Sequence, residues 1–120
     1  MPAMPAFRAV PAPSHTGVTA ARGFTAAGVH CGIRRKRPDL ALIVSDRPAS
    51  AAAVFTRNRV QAAPVVVCRE TLAASGGRAR AVVVNSGNAN ACTGPDGMVH
   101  ARMTVAVTAR ALDVDPVEVL

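Results

Sequence analysis

Val83-Val84-Asn85-Ser86-Gly87-Asn88-Ala89-Asn90-Ala91-Cys92-Thr93-Gly94 is the stretch that decides how the chain is read. An aliphatic run suited to a buried strand (residues 81–84) meets a loop of small and polar residues at Asn85. A helical pattern follows. Met98, Ala101, Val105, Ala109 and Leu112 recur at spacings of three and four, which predicts a helix over about residues 96–112. Val99, Met103 and Val107 put apolar surface on a second face, so that helix is expected to be covered on more than one side.

Upstream, the text alternates between short apolar runs and breaks. Residues 23–33 are small and glycine-rich, suited to an irregular or edge strand. Arg34-Arg35-Lys36-Arg37-Pro38 reads as a solvated hairpin turn. Leu40-Ala41-Leu42-Ile43-Val44 suits a strand buried on both faces, and Ser45-Asp46-Arg47-Pro48 a turn. Residues 51–56 and 64–68 are expected as further strands, divided by the polar break Arg57-Asn58-Arg59. Residues 69–74 are expected as a short helix stopped at Gly76-Gly77. Residues 1–16 form a Pro/Ala-rich tail expected to be flexible, and residues 17–120 the structured unit. The class is α/β, layered sheets with flanking helices.

Composition narrows function by exclusion. The chain has 120 residues, half of them apolar, and no apolar run near the ~20 residues a membrane span needs. The net charge is +7, but 13 of the 14 basic residues are Arg and the only aromatics are Phe7, Phe24 and Phe55. A nucleic-acid surface ordinarily adds Lys and stacking aromatics, so an Arg-rich, GC-biased genome explains the charge better than a basic binding module does. Cys31, Cys68 and Cys92 make an odd count without CxxC spacing, pointing to a reducing compartment rather than disulfides or zinc. His15, His30 and His100 are far apart, so no metal site is expected. Prolines break up the N-terminus too often for a secretory or transit peptide, and the cytoplasm is the expected location.

The asparagine stretch has two readings from chemistry alone. Loops leaving the carboxyl end of a strand are where α/β proteins place ligand groups, and Asn85, Asn88 and Asn90 bring uncharged amides suited to a polar ligand. Asn also tolerates left-handed backbone, so a purely structural turn competes with that. The glycines Gly87, Gly94 and Gly97 make neither a phosphate loop nor GxGxxG. Cys92 reads as a small buried thiol.

The ten residues from Asn85 to Gly94 resemble the signature of the glutamate N-acetyltransferase family, also called ornithine acetyltransferase, of arginine biosynthesis. Gly23-Phe24-Thr25-Ala26-Ala27-Gly28-Val29, Arg37-Pro38-Asp39-Leu40-Ala41-Leu42-Ile43 and residues 53–65 are similar to other blocks of that family, in the same order. The resemblance implies the family's self-processing fold and a two-chain enzyme cut from one precursor. A threonine at the new N-terminus would take acetyl from N-acetylornithine and pass it to glutamate. It implies no metal or redox cofactor, acetyl-CoA as a co-substrate in some members, and a β chain completing a tetramer of two α and two β chains. It places the nucleophile and the oxyanion-hole Thr-Gly beyond Leu120, so no catalytic residue is expected in this chain; Thr93-Gly94 and Thr16-Gly17 sit in different surroundings. Asn85, Asn88 and Asn90 remain the substrate-proximal candidates. His30-Cys31 replaces small residues, and Asp113 stands where a helix-ending Gly is usual.

Asp115-Pro116, with Glu118 after it, announces a helix that the chain does not continue past Val119-Leu120. The expectation is therefore an N-terminal fragment, inactive and poorly stable by itself. An inactive truncated remnant and a basic nucleic-acid module are the other readings.

Overall fold

The computed structural model describes residues 17–120, so the expected tail over residues 1–16 lies outside the described residues. Three strands, β1 (Phe24–Val29), β2 (Leu40–Ser50) and β3 (Arg78–Asn85), form one antiparallel sheet in the order β1-β2-β3. Two helices, α1 (Ala63–Ala74) and α2 (Gly94–Leu112), pack together on one face of it. The α/β class is as the sequence predicts.

The basic turn joins β1 to β2 as a hairpin, Val29 pairing with Leu40. β2 then runs through the turn expected at residues 45–48. Val44 pairs with Ala81 and Ala49 with Ala79, so on the β3 side residues 45–48 stand opposite Arg80 alone. The irregularity lets Pro48, which has no N–H to donate, sit within a strand. Residues 51–56, expected as a strand, are irregular and pair with no other strand. Val54 is fully exposed there, and Phe55 instead lies under Arg69, whose guanidinium carbon is 5.0 Å from the ring centre.

The strand expected at residues 64–68 is the first half of α1. Pro64 stands at the start of the helix, where its missing N–H costs nothing. Three consecutive valines cost a helix only a few tenths of a kcal/mol each, less than the packing of Ala63 and Val67 against Ala101 returns. Gly76 and Gly77, both with positive φ, end α1 as expected, Gly77 N–H bonding to the Leu72 carbonyl at 3.0 Å.

α2 meets its prediction on the inner face. Ala101 and Ala109 are buried, with Met98, Val105 and Leu112 packed around them. The outer face differs from expectation: Val99 and Met103 are each 56% exposed. β2 is likewise half-buried along residues 40–44 rather than buried on both faces. Leu42, Val44, Ala81 and Val83 point to the helix layer, leaving Ala41, Ile43, Val82 and Val84 to the other side. Asp113 ends α2 in the left-handed conformation a glycine would favour, with φ 54°. Asp115 caps a single 3-10 turn, Pro116–Glu118, its carboxylate accepting from Val117 N–H. Val119, expected as a bare aliphatic, is fully buried beside Ala81 and Ala109. Leu120 N–H bonds to the Ala81 carbonyl and Val83 N–H to that of Leu120, so the last two residues lie along β3.

Candidate functional site

The loop after β3 is held by its own asparagines. Asn85 Nδ2 donates to the Asn88 carbonyl at 2.8 Å, and Asn88 Oδ1 accepts from Asn90 N–H at 3.1 Å. Asn90 is committed at every polar atom of its side chain. Its Nδ2 donates to the Gly97 carbonyl, and its Oδ1 accepts from Thr93 Oγ1 at 2.6 Å. Its carbonyl accepts from Ala63 N–H, tying the loop to the start of α1. Gly87, Asn90, Cys92 and Gly94 all have positive φ. Two of these are not glycine: Asn90 tolerates this region, while at Cys92 it costs about 1–2 kcal/mol. The tight path turns the Cys92 thiol outward: it is exposed, against the expectation of a buried one.

These asparagines border a cavity of about 390 Å³ between the sheet and the helices. Asn85, Asn88 and Asn90 all line it, with Thr93, His100 and Thr104 adding polar groups. Ile33, Leu40, Val83 and Val105 supply apolar wall. The volume suits a small ligand, and mixed apolar walls with a few converging polar atoms are what small-molecule sites show. Asn85 Oδ1 and Asn88 Nδ2 make no hydrogen bond within the described residues. One acceptor and one donor are thus open in a wall that the third asparagine holds in place. Cys68 also lines the cavity, and burial pushes its thiol up, away from the nucleophilic thiolate.

The residue that composition could not single out is Asp39. It is 2% exposed, yet its carboxylate is fully engaged. Oδ1 accepts from Cys31 N–H at 2.6 Å and Oδ2 from Arg34 N–H at 2.8 Å. Its backbone carbonyl accepts from Ser86 N–H, so one residue fastens the basic turn to the asparagine loop. The Arg34 and Cys31 amides hold this carboxyl far below the usual carboxylate range. In the unfolded chain it titrates near ~3.9. The folded state therefore binds fewer protons, and the stability Asp39 adds is complete above about pH 4 and drains away as pH falls toward the folded value. The amide NMR shifts of Cys31 and Arg34 are expected to show no titration step between about pH 5 and pH 3. A titration midpoint near ~4 at those amides would contradict the clamp.

Among the described residues no group of three His, Cys, Asp or Glu is placed to hold a metal ion, and no helix is long and apolar enough to cross a membrane. Residues 25–120 match the model of the ArgJ family. The chain belongs to the ArgJ family. An ArgJ relative, the arginine biosynthesis bifunctional protein of Shouchella clausii, is 58% identical over 84 residues, covering 70% of this chain and 21% of the relative. The crystal structure of the ArgJ protein from Bacillus halodurans superposes with a TM-score of 0.85 at 48% identity, over 88% of this chain and 55% of that one. An ornithine acetyltransferase from Mycobacterium tuberculosis, complexed with ornithine, superposes with a TM-score of 0.74 at 45% identity, over 86% of this chain and 56% of that one. The chain spans about a fifth of the length of the Shouchella relative.

Proposed function

We propose that this chain is the N-terminal part of an acetyltransferase of arginine biosynthesis. The observation that supports it most is the combination of sequence and fold. Residues 25–120 match the ArgJ family, and 86% of the chain superposes on an ornithine acetyltransferase that holds ornithine. The reaction has two balanced halves. A threonine Oγ attacks the acetyl carbonyl of N-acetylornithine, forming an ester as the C–N bond breaks and ornithine leaves with the proton. The glutamate amine then attacks the ester, giving acetylglutamate and restoring the hydroxyl.

In this reading the nucleophile and its oxyanion hole come from polypeptide beyond residue 120. The present chain supplies the wall with Asn85 and Asn88, and Asn90 holds it. Acetyl-CoA serves as an alternative donor, neither a metal nor a redox cofactor takes part, and the cytoplasm is the place of work. The precursor cuts itself before the threonine, and two α and two β chains assemble.

The test is acetyl transfer by the complete gene product, followed as acetylglutamate formed from N-acetylornithine and glutamate, with an acetylated threonine trapped by mass spectrometry. Turnover and the ester are expected from the complete product and neither from residues 1–120 alone. Turnover by residues 1–120, or transfer without an acetyl-threonine, would contradict the reading.

A further inference from the structure

The face of the sheet turned away from the helices carries a second, smaller cavity of about 200 Å³. Phe24 of β1, Ile43 of β2 and Val82 of β3 form apolar wall, and Ser45 and Arg80 bring polar groups. Ser45 pairs with Phe24 on one side, and the pairing of Val44 with Ala81 sets it opposite Arg80 on the other. Both polar side chains are incompletely bonded. Ser45 is 5% exposed, and its hydroxyl makes no hydrogen bond among the described residues. Arg80 donates from Nη2 to the Asp46 carbonyl at 3.1 Å, which orients the guanidinium. Its Nε is the one buried side-chain nitrogen or oxygen among the described residues without a hydrogen-bond partner.

A guanidinium so placed needs an anion. Arginine stays charged, and a charge withdrawn from water is stabilised by a partner that returns its hydrogen bonds. A carboxylate suits it, because its two oxygens accept side by side from the planar fork and still reach a neighbouring hydroxyl. None of the seven acids of the chain is free to do this. Asp39 accepts from the Cys31 and Arg34 amides, Asp46 turns its carboxylate to Arg47, and Glu70 pairs with Arg102. The other four lie in α2 or in the turn that follows it. Residues 1–16 contain no Asp or Glu. The acid has to come from other polypeptide.

We propose that this cavity receives an Asp or Glu side chain from the same gene product beyond residue 120, and that Arg80 and Ser45 hold its carboxylate, docking the next layer on the helix-free face. The proposal rests on the proposed function, in which this chain is the N-terminal part of a longer enzyme. The chain spans 21% of the Shouchella relative, so most of such a protein lies outside it. Leu120 lines the same cavity, and polypeptide continuing from it starts at the cavity's edge. The volume falls below the roughly 300–1,000 Å³ of small-molecule sites and suits a single side chain.

The experiment uses the complete gene product. Its crystal structure is determined, and urea unfolding is compared for wild type, Arg80→Met, Arg80→Lys, Ser45→Ala and Arg59→Met, Arg59 being an exposed control. The crystal is expected to show an Asp or Glu oxygen from beyond residue 120 about 3 Å from the Arg80 guanidinium and from Ser45 Oγ. Arg80→Met is expected to raise the unfolded-to-folded ratio about a hundredfold at fixed urea, because it strands the buried carboxylate. Arg80→Lys should recover part of that loss, Ser45→Ala should lose less, and Arg59→Met should match wild type. Changing the acid seen in the crystal to its amide should give a loss that overlaps with that of Arg80→Met, so the double variant is no worse than the poorer single one. Additive losses would overturn the proposal. So would a cavity filled in the crystal by an apolar side chain, a free anion, water alone or an acid from a second copy of residues 1–120. If Arg80→Met does not fold, the wild-type crystal and the same cycle built on Arg80→Lys decide. A complete product that seats the carboxylate but transfers no acetyl group refutes the proposed function alone. One that transfers acetyl with the cavity otherwise filled refutes the docking alone.

Discussion

Residues 1–120 on their own are expected to melt without a cooperative transition. The reason is the size of the side chains that are buried. Among the described residues the buried apolar ones are Ala63, Val67, Ala79, Ala81, Ala101, Ala109 and Val119, so five of the seven are alanine. An alanine removes one methyl from water, and each buried carbon of that kind returns about 0.8 kcal/mol, whereas ordering one residue's backbone costs about 1–2 kcal/mol. Larger aliphatics are present but turned outward: Ile33, Val54, Val60, Val84, Val99, Met103 and Val107 are each at least 42% exposed. Among the described residues helices cover one face of the sheet, and on the other the Arg80 Nε is buried without a hydrogen-bond partner. Scanning calorimetry and far-ultraviolet circular dichroism check this, since the chain has no Trp or Tyr to report by fluorescence. A cooperative domain of this length would absorb roughly 80 kcal/mol at its midpoint. A broad trace with far less excess heat is expected, and a single sharp peak of that size would contradict it.

The same small-residue chemistry explains which parts of the fold were legible. β1, β3 and α2 show in the local sequence: a small, glycine-rich stretch runs up to the basic turn, an aliphatic run stops at Asn85, and apolar residues at spacings of three and four mark α2. α1 could not, because Val65-Val66-Val67 fits a buried strand and a packed helix equally well. The Pro64 and Gly76-Gly77 signals were both present, and tertiary packing on Ala101 settles the matter. Residues 45–48 read as a turn in the sequence because Asp and Pro favour a turn and a bulge alike. What separates them is pairing with Ala79 and Ala81, more than thirty residues away.

The candidate site was half legible for a related reason. Asn85, Asn88 and Asn90 stand out as a cluster, and the structure lines one cavity with all three. Their separate tasks do not show in the spacing. Asn90 is locked by Gly97, Thr93 and Ala63, while Asn85 and Asn88 keep open polar atoms. In the sequence Asp39 is one acid directly after the basic turn. Its importance comes from amides at positions 31, 34 and 86 converging on it, which no local pattern encodes.

Gly97→Ala is expected to cost about 1–2 kcal/mol of stability and to lower acetyl transfer by the complete gene product about a hundredfold. At an exposed helical position this substitution would stabilise by about 1 kcal/mol, because alanine has the higher helix propensity. Gly97 is buried in the first turn of α2, where a Cβ would collide with Thr93 Oγ1 and lie 2.6 Å from Asn90 Oδ1. One methyl must therefore push apart the Thr93–Asn90 hydrogen bond that sits over the helix start. Asn90 is anchored to the same glycine through its Nδ2 and to α1 through its carbonyl, so it cannot move without shifting the loop that carries Asn88. Overpacking at about 1–3 kcal/mol exceeds the propensity gain, which fixes the sign. Gly94→Ala is the control. Gly94 has φ +63° with no atom within 4 Å of a built Cβ, so that variant pays backbone strain alone and should keep most of its turnover. Denaturant midpoints and initial rates of both variants check the pair. A Gly97→Ala protein that is more stable than wild type and transfers acetyl at the wild-type rate would show that Asn90 neither holds the loop nor matters to the site.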